Sequence, residues 1–307
     1  MDYHGQFRRA ALERGIPDDA VRRFAELLRF EIRTSARPEG VAVGRSGGLP
    51  RLPVETEWPT VEEDGRALPL PFVASLNCAA LPRVDSLPLP PDGSLLFFLE
   101  HEHAWDCYDV QAEQRYARVM YVPAGTGTVA VEKPPVGHDE WSLSLAGPFV
   151  RPERTLYGSV HPELASWLEY DDEDFEFVSK PARELVAALT HVEELRALVE
   201  ELWPEDTRGS ELWLGGGSME LGMGETPESF IAAASVRARR EAEELELSPA
   251  EINALEEEET LRVMREWVPL AQFHTYDDVY FGRFMIRIED LVARRFDRAL
   301  SFAMFTE

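Results

Sequence analysis

The chain has 307 residues, 44% apolar and 29% charged, with a formal net charge of −26. That length and apolar content suffice for one large or two modest domains with substantial cores. The negative charge opposes phosphate backbones and anionic lipid, which argues against nucleic-acid and membrane-surface binding, and no apolar run approaches the ~20 residues of a bilayer span.

The opening "MDYHGQFRRAALERG" lacks the apolar stretch of a secretory signal, so a cytoplasmic protein is expected. Cys78 and Cys107 have no metal-type spacing and read as reduced thiols. Residues 1–40 read as an amino-terminal helical segment. In "IPDDAVRRFAELLRFEI", Pro17 and Asp18 suit a helix start, and Val21, Phe24, Leu28 and Ile32 recur at helical spacing. A Gly/Pro loop and "SGGLPRLPVETEWP" follow, a stretch too rich in Gly and Pro for a helix or a central strand. "LPLPFVASLN" reads as a strand with Phe72, Ala74 and Leu76 on one face. "PPDGSLLFFLE" reads as a turn feeding an apolar strand, Leu95 to Leu99. "RYARVMYVP" and "GTVAVEKP" are further short strands.

The middle changes character. "PARELVAALTHVEELRALVEELWPE" has Leu185, Leu189, Val192, Leu195, Val199 and Leu202 at helical spacing between Pro181 and Pro204. Residues 228–266 read as two helical runs joined at "ELSPAEI", where Ser248 and Glu251 fit a capping box. β pattern returns in "WVPLAQFH" and "YFGRFMIRIED", and the chain ends on "RALSFAMF".

The two halves align with one another. "VASLN" (73–77) matches "LAQFH" (270–274), and "GSLLFFLE" (93–100) matches "GRFMIRIE" (282–289), setting Gly93 against Gly282 and Leu95, Phe97 and Leu99 against Phe284, Ile286 and Ile288. Upstream, Gly47 and Gly48 fall against Gly215 and Gly216. Each copy would supply a few antiparallel strands unable to bury both faces alone, with the glycine pairs as turns and Trp58 and Trp213 covering the core. The expected fold is α+β: a duplicated, mostly antiparallel β-sheet core with pseudo-twofold related copies and flanking helices. One copy spans 41–160; the other, with the middle helix and the 228–266 insertion, spans 161–307; the two pack as one globular unit.

"SGGLPRLPVETEWP", "LPLPFVASLNCAAL", "LPLPPDGSLLFFLE" and "DDVYFGRFMIRIEDLVARRFDRA" resemble the YwqG-like bacterial proteins, a family of unknown function. The resemblance covers roughly residues 40–100 and 210–307 and implies a single globular unit of antiparallel sheets and flanking helices. It carries no catalytic residues over. The sequence departs from the family at "GGGSMELGMG" and at His274.

Chemistry-bearing motifs are few. In "FFLEHEHAWDCYD", a strand continued past Leu99 would project His101 and His103 from one face. With Asp106 or Cys107 nearby, these are the candidate metal ligands, although no third ligand is fixed by the spacing. The alternative is a solvated polar strand end. "HTYDDVYFG" brings His274, Asp277 and Asp278 together, either as base and orienter or as a polar turn. "EYDDEDFEF" lacks calcium-loop spacing, and Ser218 lacks the nucleophile-elbow context. No cofactor is implied. The expectation is a non-catalytic binding or interaction protein, immunity- or regulator-like, whose acidic exterior engages a basic protein partner. The alternative is a metal-dependent enzyme or small-ligand-binding protein using the His101/His103 region or the cleft between the copies.

Overall fold

In the computed structural model of the chain, which describes residues 2–107, 109–141, 147–164, 187–204, 209–218, 226–274 and 279–305, ten strands join in one antiparallel sheet that curls nearly into a barrel. In chain order its strands are β1 (Arg29–Ser35), β2 (Val41–Ser46), β6 (Phe72–Asn77), β7 (Ser94–Leu99), β8 (Ala117–Val122), β10 (Arg154–Glu163), β11 (Leu212–Gly215), β12 (Trp267–His274), β13 (Tyr280–Arg287) and β14 (Leu300–Phe305). Two small two-stranded pairings stand apart: β3 (Arg51–Pro53) with β9 (Thr128–Ala130), and β4 (Thr60–Glu63) with β5 (Arg66–Pro69). The last pair turns at Asp64 and Gly65, both at positive φ, as a tight hairpin demands.

The order across the large sheet is β14-β13-β12-β11-β1-β10-β2-β6-β7-β8. Read inward from either edge, the same succession appears: an edge strand, a long hairpin, a short strand that ends at a Gly-Gly turn, then one of the central pair β1 and β10. After β7 comes the short helix α3 (His101–Trp105), and after β13 the short helix α8 (Ile288–Val292), each leading back to an edge strand. Both hairpins carry a bulge at the same place, between Phe72 and Ala74 and between Pro269 and Ala271.

This pairing corrects the register read from the sequence. Phe97 lies opposite Ala74, and Phe284 opposite Ala271. Phe97 and Phe284 are thus the partners of the two alanines, whereas the glycine-anchored alignment sets Leu95 against Phe284, two residues away. A strand's side chains repeat every two residues, so a slip of two leaves every apolar position on its own face and escapes detection in the sequence. The rings of Phe97 and Phe284 touch, with centroids 5.5 Å apart, inside the core.

The helix expected to run to Ile32 also stops early. Helix α1 (Tyr3–Glu13) is followed by α2 (Asp18–Ala25), which opens with Asp18 and Asp19 in its first turn and buries Ala20, Val21 and Phe24. Ile32 lies instead in β1, wholly buried. "RFEIRTS" alternates Phe30 and Ile32 with Arg29, Glu31 and Arg33, so period two prevails over the coincidental helical spacing. The middle helix expected between Pro181 and Pro204 is not continuous: α5 (Val192–Leu202) buries Leu195, Leu198 and Val199, but it starts after His191, which holds a left-handed conformation, so Leu189 lies outside it; residues 181–186 lie outside the described residues.

The expected helical hairpin is present as α6 (Pro227–Ala242) and α7 (Pro249–Glu266), and the Ser248–Glu251 capping box is formed. It packs a small cluster, Ile231, Ala232 and Val263, onto Met285 and Phe302, on the face of β13 away from the main core. Among the described residues the remaining α-helix, α4 (Val110–Glu113), helps close the curl. Glu113 accepts from the Ala303 amide (2.6 Å), and Gln114 accepts from the Ser301 amide (2.6 Å), so side chains occupy the edge of β14. Trp58 packs on the main core against Phe98, as expected, but Trp213 does not; it sits with His274 and Phe281 beside β12 and β13.

Candidate functional site

At one end of the sheet, where β2 and β12 finish and β6, β10 and β11 begin, a cleft of about 280 Å³ opens between the two halves. Ser46, Gly47, Val73 and Ala74 line it from one side, and Leu212, Phe273 and His274 from the other. Arg151 and Arg154 enter from the segment leading into β10.

The first glycine pair makes this arrangement feasible. Gly47 and Gly48 both hold positive φ, 64° and 66°, a conformation glycine adopts without steric cost. A Cβ on Gly47 would collide with the Pro152 carbonyl and lie 3.0 Å from that of Arg151. The Gly47 amide donates to Val73 O at 2.9 Å and the Gly48 amide to Arg151 O at 2.8 Å. "SGGLP" is thus a turn that lets the 151–153 segment pass against the sheet and deliver Arg151 to the cleft. Burial lowers the Arg151 guanidinium to about 10, still far above neutral pH, so the cleft holds a cation in poorly solvated surroundings. Arg154 is held by Glu211 at 2.6 Å.

The second glycine pair, Gly215 and Gly216, repeats the positive φ, 75° and 74°, but carboxylates crowd it. A Cβ on Gly216 would lie 2.5 Å from Glu163 Oε2 and 2.8 Å from Glu31 Oε2. Arg33 holds Glu31 at 2.6 Å, and the Gly217 amide donates to Glu163. Burial, and then the neighbouring Glu31 charge, push the Glu163 carboxyl up to about 7; burial also raises Glu31, opposed by Arg33. His161 lies directly across the ladder from Glu31, and Arg29 across from Glu163.

The strand supposed to carry His101 and His103 on one face ends at Leu99, and Glu100 caps α3 instead, accepting the amides of Glu102 (3.0 Å) and His103 (2.9 Å). In a helix, residues two apart point away from each other. His101 is buried in the core against Phe273 and Tyr280, 1% exposed. His103 turns outward, its Nδ1 3.0 Å from Glu100 and its ring against Trp141 and Tyr116. The Glu100 contact raises His103 above its ordinary value, whereas burial and then Arg151 hold His101 well below its own. Asp106 is the helix C-cap. The structure does not bring the three candidate ligands together, and among the described residues no group of three or more His, Cys, Asp or Glu is placed to hold a metal ion. Asp277, Asp278 and the "EYDDEDFEF" run lie outside the described residues.

A further buried group ties the insertion to the sheet. Arg283, fully buried on β13, lies over the Phe281 ring (4.9 Å) and within reach of the charges of Glu228 and Glu113. Burial raises Glu113 to about 8 against the opposing Arg283 charge and the Ala303 amide.

Residues 44–303 match the family described as Domain of unknown function (DUF1963). The chain belongs to that family. The DUF1963 match begins in β2 and ends in β14, so it takes in the whole cleft and both glycine turns but leaves α1, α2 and β1 outside. No curated protein compared with the chain matches it.

The sequence reading missed Arg151, Glu31 and Glu163. For Glu31 and Glu163 a signal was present, since β1 and "RTLYGSVHPE" both alternate apolar and polar residues, the mark of half-buried strands; Arg151 lies ahead of the second strand and carried none. Among the described residues, no helix is long and apolar enough to cross a membrane.

Proposed function

We propose that this DUF1963 protein is a non-catalytic small-ligand-binding protein whose cleft between the two halves takes a small carboxylate with an apolar body. The observation that carries the reading is the position of Arg151, a poorly solvated cation delivered by a glycine turn into a cleft whose other walls include Val73, Ala74, Leu212 and Phe273. A guanidinium in low dielectric pairs strongly with a carboxylate, and concave sites between repeated units commonly hold ligands. The palindromic strand order, the matched bulges and the two Gly-Gly turns support an origin by internal duplication about a pseudo-twofold axis between β1 and β10. The motifs quoted above support a kinship with the YwqG-like bacterial proteins, and we infer a cytoplasmic location for it.

Thermal unfolding with millimolar benzoate tests the reading. Stabilisation that saturates with concentration is expected for the natural sequence, with at least a tenfold loss of affinity for Arg151→Met. No stabilisation, or equal affinity in the variant, would overturn it.

A second reading has its own support. Helix α7 has 18 residues yet buries only Val263, and it exposes Leu261 and Met264 on an acidic chain. A helix so poorly anchored suits a basic protein partner with an apolar stripe. Binding of a lysine-rich amphipathic peptide at low salt, lost at high salt and on Leu261→Ser, is the expected result. Failure to bind at low salt contradicts it.

A further inference from the structure

We propose that the groove between α6 and α7 is a second binding site, one that takes a small organic phosphate monoester with Arg240 as its principal contact. The proposal is independent of the carboxylate reading of the cleft between the two halves. The groove, of about 190 Å³, runs between the two helices of the insertion. Four arginines line it, Arg239 and Arg240 from α6 and Arg262 and Arg265 from α7, against two glutamates, Glu258 and Glu259. On a chain with 57 acidic residues and 31 lysines and arginines, the sign of the charge is locally reversed there. A concave surface lined mainly by one sign of charge concentrates the opposite ion.

Arg240, itself part of the lining, has an unused donor. Its Nε is buried and makes no hydrogen bond, and an orphaned buried donor costs on the order of 1–3 kcal/mol. Its neighbours show how this chain ordinarily settles an arginine: Arg239 pairs with Glu243 at 3.3 Å, and Arg262 Nε donates to Glu259 at 2.9 Å. Among the described residues Arg240 has no carboxylate partner. Of the two glutamates in the lining, Glu259 is already held by Arg262 and the Ser235 hydroxyl, and Glu258 is exposed. The helix dipole accounts for arginines in the last turn of α6, but not for one that lines an interhelical groove with a donor unsatisfied. A phosphate meets the planar fork of a guanidinium with two oxygens at once. Val236, Leu245 and Leu255 supply the apolar part of the lining, a surface that an organic substituent covers and inorganic phosphate leaves bare.

The test adds phenyl phosphate and, separately, inorganic phosphate to the isotope-labelled full chain at low salt, where exposed charges are least screened. Saturating backbone amide shifts are expected at Ser235, Arg240 and Leu255, with phenyl phosphate binding roughly tenfold tighter than inorganic phosphate. Calorimetric titration of phenyl phosphate should show at least a tenfold loss of affinity in Arg240→Met. Arg237→Met removes the same charge from the same helix outside the groove, at a side chain 62% exposed, and should change the affinity little. Equal losses in the two variants would mean unspecific attraction to the helix and would overturn the proposal. No saturating shifts, or shifts confined to the cleft around Arg151, would overturn it too, and this readout needs only the natural sequence should Arg240→Met fail to fold. Equal affinities for the two phosphates would overturn the assignment to an organic monoester.

Discussion

Glu163 offers a quantitative test of how the polar face of the sheet is held. Its carboxyl, lifted to about 7 by burial and by Glu31, binds a proton in the folded chain that the unfolded chain releases near 4.5. Between those values the native state holds more protons than the unfolded state, so stability falls as pH rises through the window and levels off above about 7. The full shift corresponds to roughly 3 kcal/mol, and solvent contact at this partly exposed side chain reduces it to about 1–3 kcal/mol. Glu163→Gln mimics the protonated acid and keeps an acceptor for the Gly217 amide. Urea unfolding of both proteins from pH 5 to 9 should give near-equal stability at the acidic end. At the alkaline end the variant should be more stable by about 1–3 kcal/mol. Glu113 titrates in both proteins and cancels in the difference. A variant no more stable at pH 9, or a difference that does not change with pH, would refute the burial of that carboxyl beside Glu31.

Gly47→Ala should destabilise the fold by about 2 kcal/mol or more, since it adds a collision with the Pro152 carbonyl to the strain of positive φ. Gly125→Ala shares the positive φ (82°) but meets nothing within 4 Å, so it should cost about 1 kcal/mol or less; equal losses in urea unfolding would contradict the close approach. Arg283→Met should cost about 3–5 kcal/mol at pH 9, where Glu113 is ionised, because it strands the Glu113 and Glu228 carboxyls without their buried cation. The loss should shrink at neutral pH and below, where Glu113, lifted to about 8, keeps its proton in the native state; a pH-independent loss would argue against that cluster.

What the sequence made legible was local and periodic. The hairpin strands from Phe72 to Leu99 and from Trp267 to Arg287, the Ser248 capping box and the glycine turns each announce themselves within a dozen residues. The central strands did not, because Leu28 and Ile32 continue the spacing of Val21 and Phe24 by coincidence, although "RFEIRTS" alternates as a strand. His101 and His103 were placed on one face of a continued strand. The cap formed by Glu100 turns the chain into a helix there, and a helical turn separates them. Alternation marks the strand that carries Glu163 but not its role, and Arg151 carries no local signal, since each acquires its role only when β10 packs between β1 and β2 and brings a glycine turn from another part of the chain against it.

The most direct measurement of the central claim is the pattern of backbone amide shifts on adding benzoate to the isotope-labelled chain. The account predicts shifts concentrated at Gly47, Ala74, Arg151, Leu212 and Phe273, drawn from both halves of the sheet and saturating together. Saturating shifts confined to another region, or none at these five positions, would contradict it.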